Sequence, residues 1–208
     1  MKVAIIGASG KAGRTILKEL AERGHALTAI VRNVTRTTHD AVLEKDAFAL
    51  TKDDLSGFDV VINAFGAAPG DELQHVELGR HLMEALSGTA TRLIVVGGAG
   101  SLFVDQEQTT RLADTPDFPE AYLPTAKSQT LNLIDLEQTT DLHWTFVSPA
   151  AFFDPEGERT GTYQLASDVL TVNAAGDSYI SYADYAVAIA DEVEHNRHDK
   201  ERISVVSK

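Results

Sequence analysis

Apolar runs of strand length alternate with helix-length amphipathic segments almost from one end of the chain to the other. That alternation points to a parallel sheet covered by helices. Residues 2–7 (KVAIIG) have the unbroken apolar character of a fully buried strand. Residues 11–23 place Ile16, Leu17 and Leu20 at helical spacing, and Gly24 stands where a helix C-terminus favours glycine before a second strand at 25–32. Residues 59–66 and 92–98 read as two more buried strands, with a helix over roughly 71–86 between them. A weaker strand is expected at 43–50, followed by a short helical turn at 51–55.

After Gly98 the pattern loosens. Residues 99–120 contain two prolines, several acids and no sustained period, and read as a long loop. This loop leaves the C-terminal end of a strand, where open α/β sheets bind their ligands. A helix is expected at 124–137, a strand at 143–148 ending in Pro149, and a turn-rich stretch with short strands over 150–179. Ser181 with Asp184 three residues later forms a capping-box sequence for a last helix at 182–195, and 203–206 adds a final strand. No internal repeat, low-complexity segment or linker interrupts the pattern. The expectation is one domain over 1–208: an α/β, doubly wound parallel sheet with helices on both faces and a small C-terminal elaboration.

Composition narrows the function. Of 208 residues, 43% are hydrophobic and 24% charged, which is ordinary for a globular chain. There is no cysteine, so disulfides, thiolate zinc sites and cysteine nucleophiles are excluded. The opening MKVAIIGASG meets glycine after four apolar residues and reads as neither secretory signal nor membrane span, so a cytoplasmic location is expected. A net charge of -13 argues against sequence-independent binding to nucleic acid or an anionic membrane. The charge is uneven: residues 1–40 hold seven Lys or Arg against three Asp or Glu, a net of +4, so the remaining 168 carry -17.

The positive segment contains Gly7-Ala8-Ser9-Gly10-Lys11-Ala12-Gly13, a G-x-x-G-x-x-G run where the first strand turns into the first helix. Helix N-termini present unpaired N–H groups and the positive end of the dipole, and glycines let a phosphate come close. Gly7 is expected to make the tight turn, Gly10 to admit a pyrophosphate, and Gly13 to let the helix pack on the sheet. Ser9 and Lys11 add a hydroxyl and a cation. An NAD site usually carries Asp or Glu at the end of the second strand to accept from the ribose hydroxyls. Here that place reads Val31-Arg32-Asn33, and the nearest carboxylate in sequence is Asp40. Arg32, with Arg36 as possible help, offers a guanidinium for a 2′-phosphate, so NADP(H) is favoured and NAD(H) remains possible.

No catalytic residue is assigned. In short-chain dehydrogenases a Tyr and a Lys four residues on share a helix face, where the ammonium lowers the phenol pKa. The nearest arrangement is Tyr122 with Lys127, at a spacing of five and with Pro124 between them. That spacing turns the side chains well apart, so Tyr122, Lys127 and Ser101 stand only as candidates. His195 and His198 with Glu194 and Asp199 read as a solvated helix end, His75 and His81 do not share a face cleanly, and no metal site is expected. Residues 148–153 (SPAAFF) leave a strand end and supply apolar surface, and Phe65, Phe103, Phe152 and Phe153 are able to wall a flat ring.

Taken with the glycine loop, five further segments resemble one family: Asn63-Ala64-Phe65-Gly66, then 96–102 (VGGAGSL), 144–149 (WTFVSP), 159–163 (RTGTY) and 180–186 (ISYADYA). The chain resembles small atypical short-chain dehydrogenase relatives named as NADH-flavin reductases, within the NAD(P)H-binding group that includes biliverdin reductase B and NmrA-like proteins. The resemblance spans nearly the whole chain. It implies a Rossmann-like fold that binds NADP(H) or NAD(H), and hydride transfer to a flavin or similar flat acceptor without a Tyr/Lys pair. The expected cofactor residues beyond the glycine loop and Arg32 are Asp46, Ala64, Phe65 and Gly66, then Gly97 and Gly98, then Ser148, Pro149 and Ala150. Phe103, Phe152 and Phe153 are expected at the acceptor. The leading expectation is thus an NADPH-preferring reductase of a small planar acceptor, acting as monomer or homodimer. The alternative is a redox-sensing module that binds NADP without turnover. A nucleotide-sugar epimerase is disfavoured, because the chain leaves little room for a substrate domain.

Overall fold

A computed structural model describes residues 1–208. Strands β1 (Lys2–Ile6), β2 (Ala26–Val31), β3 (Val42–Glu44), β4 (Val60–Asn63), β5 (Arg92–Val96) and β6 (Trp144–Pro149) form one sheet with β10 (Glu201–Val206) and β8 (Gln164–Ala166). Their order is β3-β2-β1-β4-β5-β6-β10-β8, parallel throughout except for the antiparallel β8. The remaining strands, β7 (Phe152–Asp154) and β9 (Tyr179–Ser181), pair in parallel as a separate small ribbon.

Alternation along the strands builds two cores. Val3 and Ile5 of β1 face one side, with Ile16 and Leu20 of α1 (Lys11–Glu22) and the inner face of α5 (Tyr182–His195). Ala4 and Ile6 face the other, with Leu78 and Leu82 of α3 (Gln74–Leu86), Leu133 and Leu136 of α4 (Leu123–Glu137), and Leu55 of α2 (Lys52–Leu55). Helices therefore cover both faces, as the sequence pattern predicts. This is a Rossmann-like, doubly wound sheet, in which the order of strand addition reverses between β1 and β4 and opens a crevice at the carboxyl ends of the strands.

Three expectations change. The strand expected at 43–50 shortens to β3, because Asp46 accepts from the Phe48 N–H (2.9 Å) and turns the chain into a 3₁₀ segment at Ala47–Ala49. The loop after Gly98 is not featureless. It contains three 3₁₀ turns, and Phe103 is tied by backbone bonds to Asp168 and Leu170. The capping box at α5 is half made. The Asp184 N–H donates to Ser181 Oγ (3.0 Å), but the Asp184 carboxylate accepts from the N–H groups of Thr160 (2.9 Å) and Gly161 (2.8 Å). Asp184 thus pins the turn-rich stretch to the last helix instead of closing its own cap.

Candidate functional site

The glycine loop is built from close backbone approach. Gly7 has φ +75°, and a Cβ there would overlap the Ala64 carbonyl at the end of β4. Gly13 lies against the Gly7 carbonyl so closely that no side chain fits, which seats α1 on its own loop. The Gly10 N–H donates to Gly7 O (2.9 Å), and Gly10 N-caps α1 with no side-chain cap and no acid in the first turn. The N–H groups of Lys11, Ala12 and Gly13 find no acceptor in the chain. An open set of N–H donors at the positive end of a helix dipole is a fitting cradle for a pyrophosphate.

The loop opens into a cleft of about 1020 Å³, at the upper end of the ~300–1,000 Å³ usual for small-molecule sites. Gly7, Ser9, Gly10, Lys11 and Ala12 line one part of it. Gly13 does not, and acts through packing alone. Arg32 follows β2 into the cleft, joined by Arg36 from a 3₁₀ turn that Asn33 caps by accepting from the Thr35 N–H (2.9 Å). Both guanidiniums are exposed and free of ion pairs or hydrogen bonds within the chain. Lys45 lies beside them, its N–H donating to Val31 O (3.0 Å), but its ammonium is held by Asp54 at 2.6 Å. The Lys45 ammonium and the Thr51 hydroxyl and N–H together hold the Asp54 carboxyl down at about 2. Glu44, distant from Arg32 in sequence, reaches this turn and accepts from the Val34 N–H (3.3 Å) without lining the cleft.

Next to the arginines Asp46, Ala64, Phe65 and Gly66 line the cleft as expected. Phe65 packs edge-on with Phe48 (5.9 Å) and with His75 (5.6 Å). Its ring therefore sits on the β3–β4 side and not with Phe152 and Phe153. His75 Nε2 accepts from the Ala67 N–H (3.5 Å), and burial lowers its pKa, so the imidazole is neutral and presents no cation.

The far part of the cleft lies beyond β5 and β6. Gly97 and Gly98 follow β5, Pro149 ends β6, and Ala150, Phe152 and Phe153 follow it. The Phe153 ring stacks on Tyr182 at 3.9 Å and lies 4.8 Å from Tyr185. Opposite stand Leu112, Phe118 and Pro119 of the long loop, with Tyr122, Thr125, Ala126 and Gln129. These last four are spaced i, i+3, i+4, i+7, one face of a helix.

Four expected residues stand elsewhere. Lys127 is off that helical face and exposed, so it does not meet Tyr122, which is itself 67% exposed. Ser101 is buried beneath the long loop, its carbonyl taking the Arg111 guanidinium (2.8 Å) and its hydroxyl 3.4 Å from Arg202. Phe103 lies under Arg111 in a cation–π contact of 4.7 Å, anchoring the loop instead of walling the cleft. Ser148 is fully buried and faces the core beside its strand partner Ser204, both hydroxyls unpaired. Conversely, Lys45, Phe48, Gln129 and Tyr182 line the cleft unforeseen. The helical spacing could have found Gln129; Lys45 and Phe48 were hidden inside an overlong strand.

Residues 7–196 match the NAD(P)H-binding family. The chain belongs to that family. An uncharacterized protein of Bacillus subtilis, YwnB, is 62% identical over 210 residues, covering 100% of this chain and 99% of its own. A crystal structure from Streptococcus pneumoniae, described as "a putative NADH-flavin reductase", is 51% identical with a TM-score of 0.97 and covers 100% of both chains. The same fold is found at 19% identity in ChuY of Escherichia coli O157:H7, described as "An Anaerobillin Reductase", with a TM-score of 0.75, covering 100% of this chain and 97% of its own. No helix is long and apolar enough to cross a membrane.

Proposed function

We propose that this NAD(P)H-binding chain is a reductase that prefers NADPH and passes a hydride to a flavin or similar flat acceptor. One observation carries the reading: a single cleft joins a glycine-lined, uncapped helix N-terminus flanked by Arg32 and Arg36 to an aromatic-walled far end. The first part suits a pyrophosphate and a 2′-phosphate. The second suits a planar ring stacked beside the nicotinamide. The cofactor, when bound, supplies a hydride, while water can supply the proton. The residues at the far end then need only orient two rings, which agrees with Tyr122 standing apart from Lys127. The name carried by the Streptococcus pneumoniae structure supports the same chemistry.

The test is NADPH oxidation by purified protein with riboflavin, FMN, FAD, quinones and biliverdin as acceptors. Turnover above the uncatalysed rate with any of them, and a lower KM for NADPH than NADH, is expected. Tight NADPH binding with no turnover on any acceptor would move the chain to the class of non-catalytic redox sensors.

A further inference from the structure

The two ends of the cleft differ in charge. Its lining cations, Lys11, Arg32, Arg36 and Lys45, all stand by the glycine loop and β2–β3. Beyond β5 the lining is uncharged: Phe152, Phe153, Tyr182, Phe118, Pro119 and Tyr122.

The loops behind that lining are acidic. Residues 104–122 carry five acids and one base, of which Asp114, Asp117 and Glu120 are exposed beside Leu112, Phe118 and Tyr122. The opposite wall continues into Asp154, Glu156 and Glu158. The bases in these loops are committed elsewhere. Arg111 lies over Phe103 and donates to Ser101 O, and Arg159 forms a two-pronged pair with Glu19 (2.9 and 3.0 Å). Lys11 already has Glu156 at 3.9 Å, and Lys127, exposed on α4, stands off the helix face that lines the cleft.

We infer that the acceptor is an uncharged planar molecule, without phosphate or carboxylate groups, such as an isoalloxazine without its phosphate or a quinone. This rests on the reductase reading and narrows it. An anionic acceptor would bring its charge toward carboxylates with no cation in the lining to receive it, whereas a neutral ring only has to stack. The reaction balances as NADPH, acceptor and one proton from water giving NADP⁺ and the two-electron-reduced acceptor. In riboflavin the hydride goes to N5 and the proton to N1, and in a quinone the product is the hydroquinone.

The experiment compares kcat/KM for riboflavin and FMN, which share one ring system and differ by a phosphate, with menadione and biliverdin as further neutral and anionic acceptors. At about 10 mM salt riboflavin is expected to exceed FMN by about tenfold, and the gap to shrink to about two- to threefold at about 0.3 M, where exposed charges are screened. Asp117→Lys combined with Glu120→Lys, two exposed positions outside the lining, is expected to raise FMN turnover and leave riboflavin turnover as it was. FMN used as well as riboflavin at low salt, or a gap that neither salt nor the double variant alters, overturns the inference and leaves the reductase reading standing. No turnover with any acceptor, while NADPH still binds, removes both.

Discussion

Arg32→Ala tests the cofactor preference directly. The arginine follows β2 at the place where an NAD site carries an acid, and its guanidinium has no partner within the chain. A charged N–H···O bond to a 2′-phosphate contributes about 1.5–3 kcal/mol. Arg32 and its neighbour Arg36 are both exposed, so solvent screening places the loss near the low end, about 1.5–2 kcal/mol or about 12- to 30-fold in Kd for NADPH. Lys45 cannot take over while Asp54 holds it at 2.6 Å; Arg36 can in part. The double variant Arg32→Ala, Arg36→Ala is therefore expected to bind NADPH and NADH about equally. NADH affinity should move by less than about twofold in either variant, since no 2′-phosphate is lost. Calorimetric titration of each cofactor measures this, with thermal melting to show that two surface changes leave the fold intact. Equal losses for NADPH and NADH, or an unchanged NADPH affinity, would refute the 2′-phosphate assignment.

Four other outcomes follow from the same geometry. Asp54→Asn releases the Lys45 ammonium beside the arginines and should tighten NADPH by about two- to fivefold, leaving NADH as it was; an equal gain for both would mean Lys45 does not reach the phosphate. Gly7→Ala forces a side chain into a left-handed turn and onto the Ala64 carbonyl, and should cost about 2–4 kcal/mol by urea unfolding. Glu19 has its pKa lowered by the Arg159 guanidinium first and then by Arg23, so its stabilisation is present above the unfolded carboxyl range and fades as pH falls through the lowered folded value. Glu19→Gln should therefore lose about 1–2 kcal/mol at neutral pH and show a flatter stability curve below about pH 4.5, the half-exposed Arg159 limiting the size. Tyr122→Phe should change kcat by less than about twofold, because Lys127 stands off the face that Tyr122 shares with Gln129; a tenfold loss would revive a phenol in proton transfer.

What the sequence made legible was whatever has a period. The two-residue alternation of β1 and the 3.6-residue spacing in α1 set both cores, and the glycine run stands at the one strand-to-helix junction where backbone N–H groups open outward. Residues whose role depends on contacts distant along the chain were not legible. Ser101, Phe103 and Ser148 lie in the right segments, but Arg111, Arg202 and the register with Ser204 draw them into the interior. Asp184 has the right spacing for a capping box, yet two N–H groups from residues 160 and 161 compete for its carboxylate and win. Lys45 and Phe48 were masked because residues 43–50, with apolar residues at both ends, read as a weak strand until the Asp46 side chain turns the chain.

If the chain is the reductase proposed above, the missing proton-transfer pair and the charge asymmetry have one explanation. Hydride transfer between stacked rings asks the protein for position and for exclusion of competing ligands, and neither requires a titrating side chain in the site. Such a site leaves no motif of paired acids and bases to find. Its selectivity has to come from the loops, through shape and charge, and loops carry charge without any period. Of the bases in residues 1–40, Lys11, Arg32 and Arg36 line the part of the cleft where the phosphates would lie, whereas the rest of the chain carries -17, including acids behind both walls of the far end. A uniformly acidic protein would repel its own cofactor, and a uniformly basic one would draw any nucleotide into either end of the cleft. On the reading proposed above, the division would let one continuous cleft distinguish a polyanionic hydride donor from an uncharged acceptor before either ring is in place.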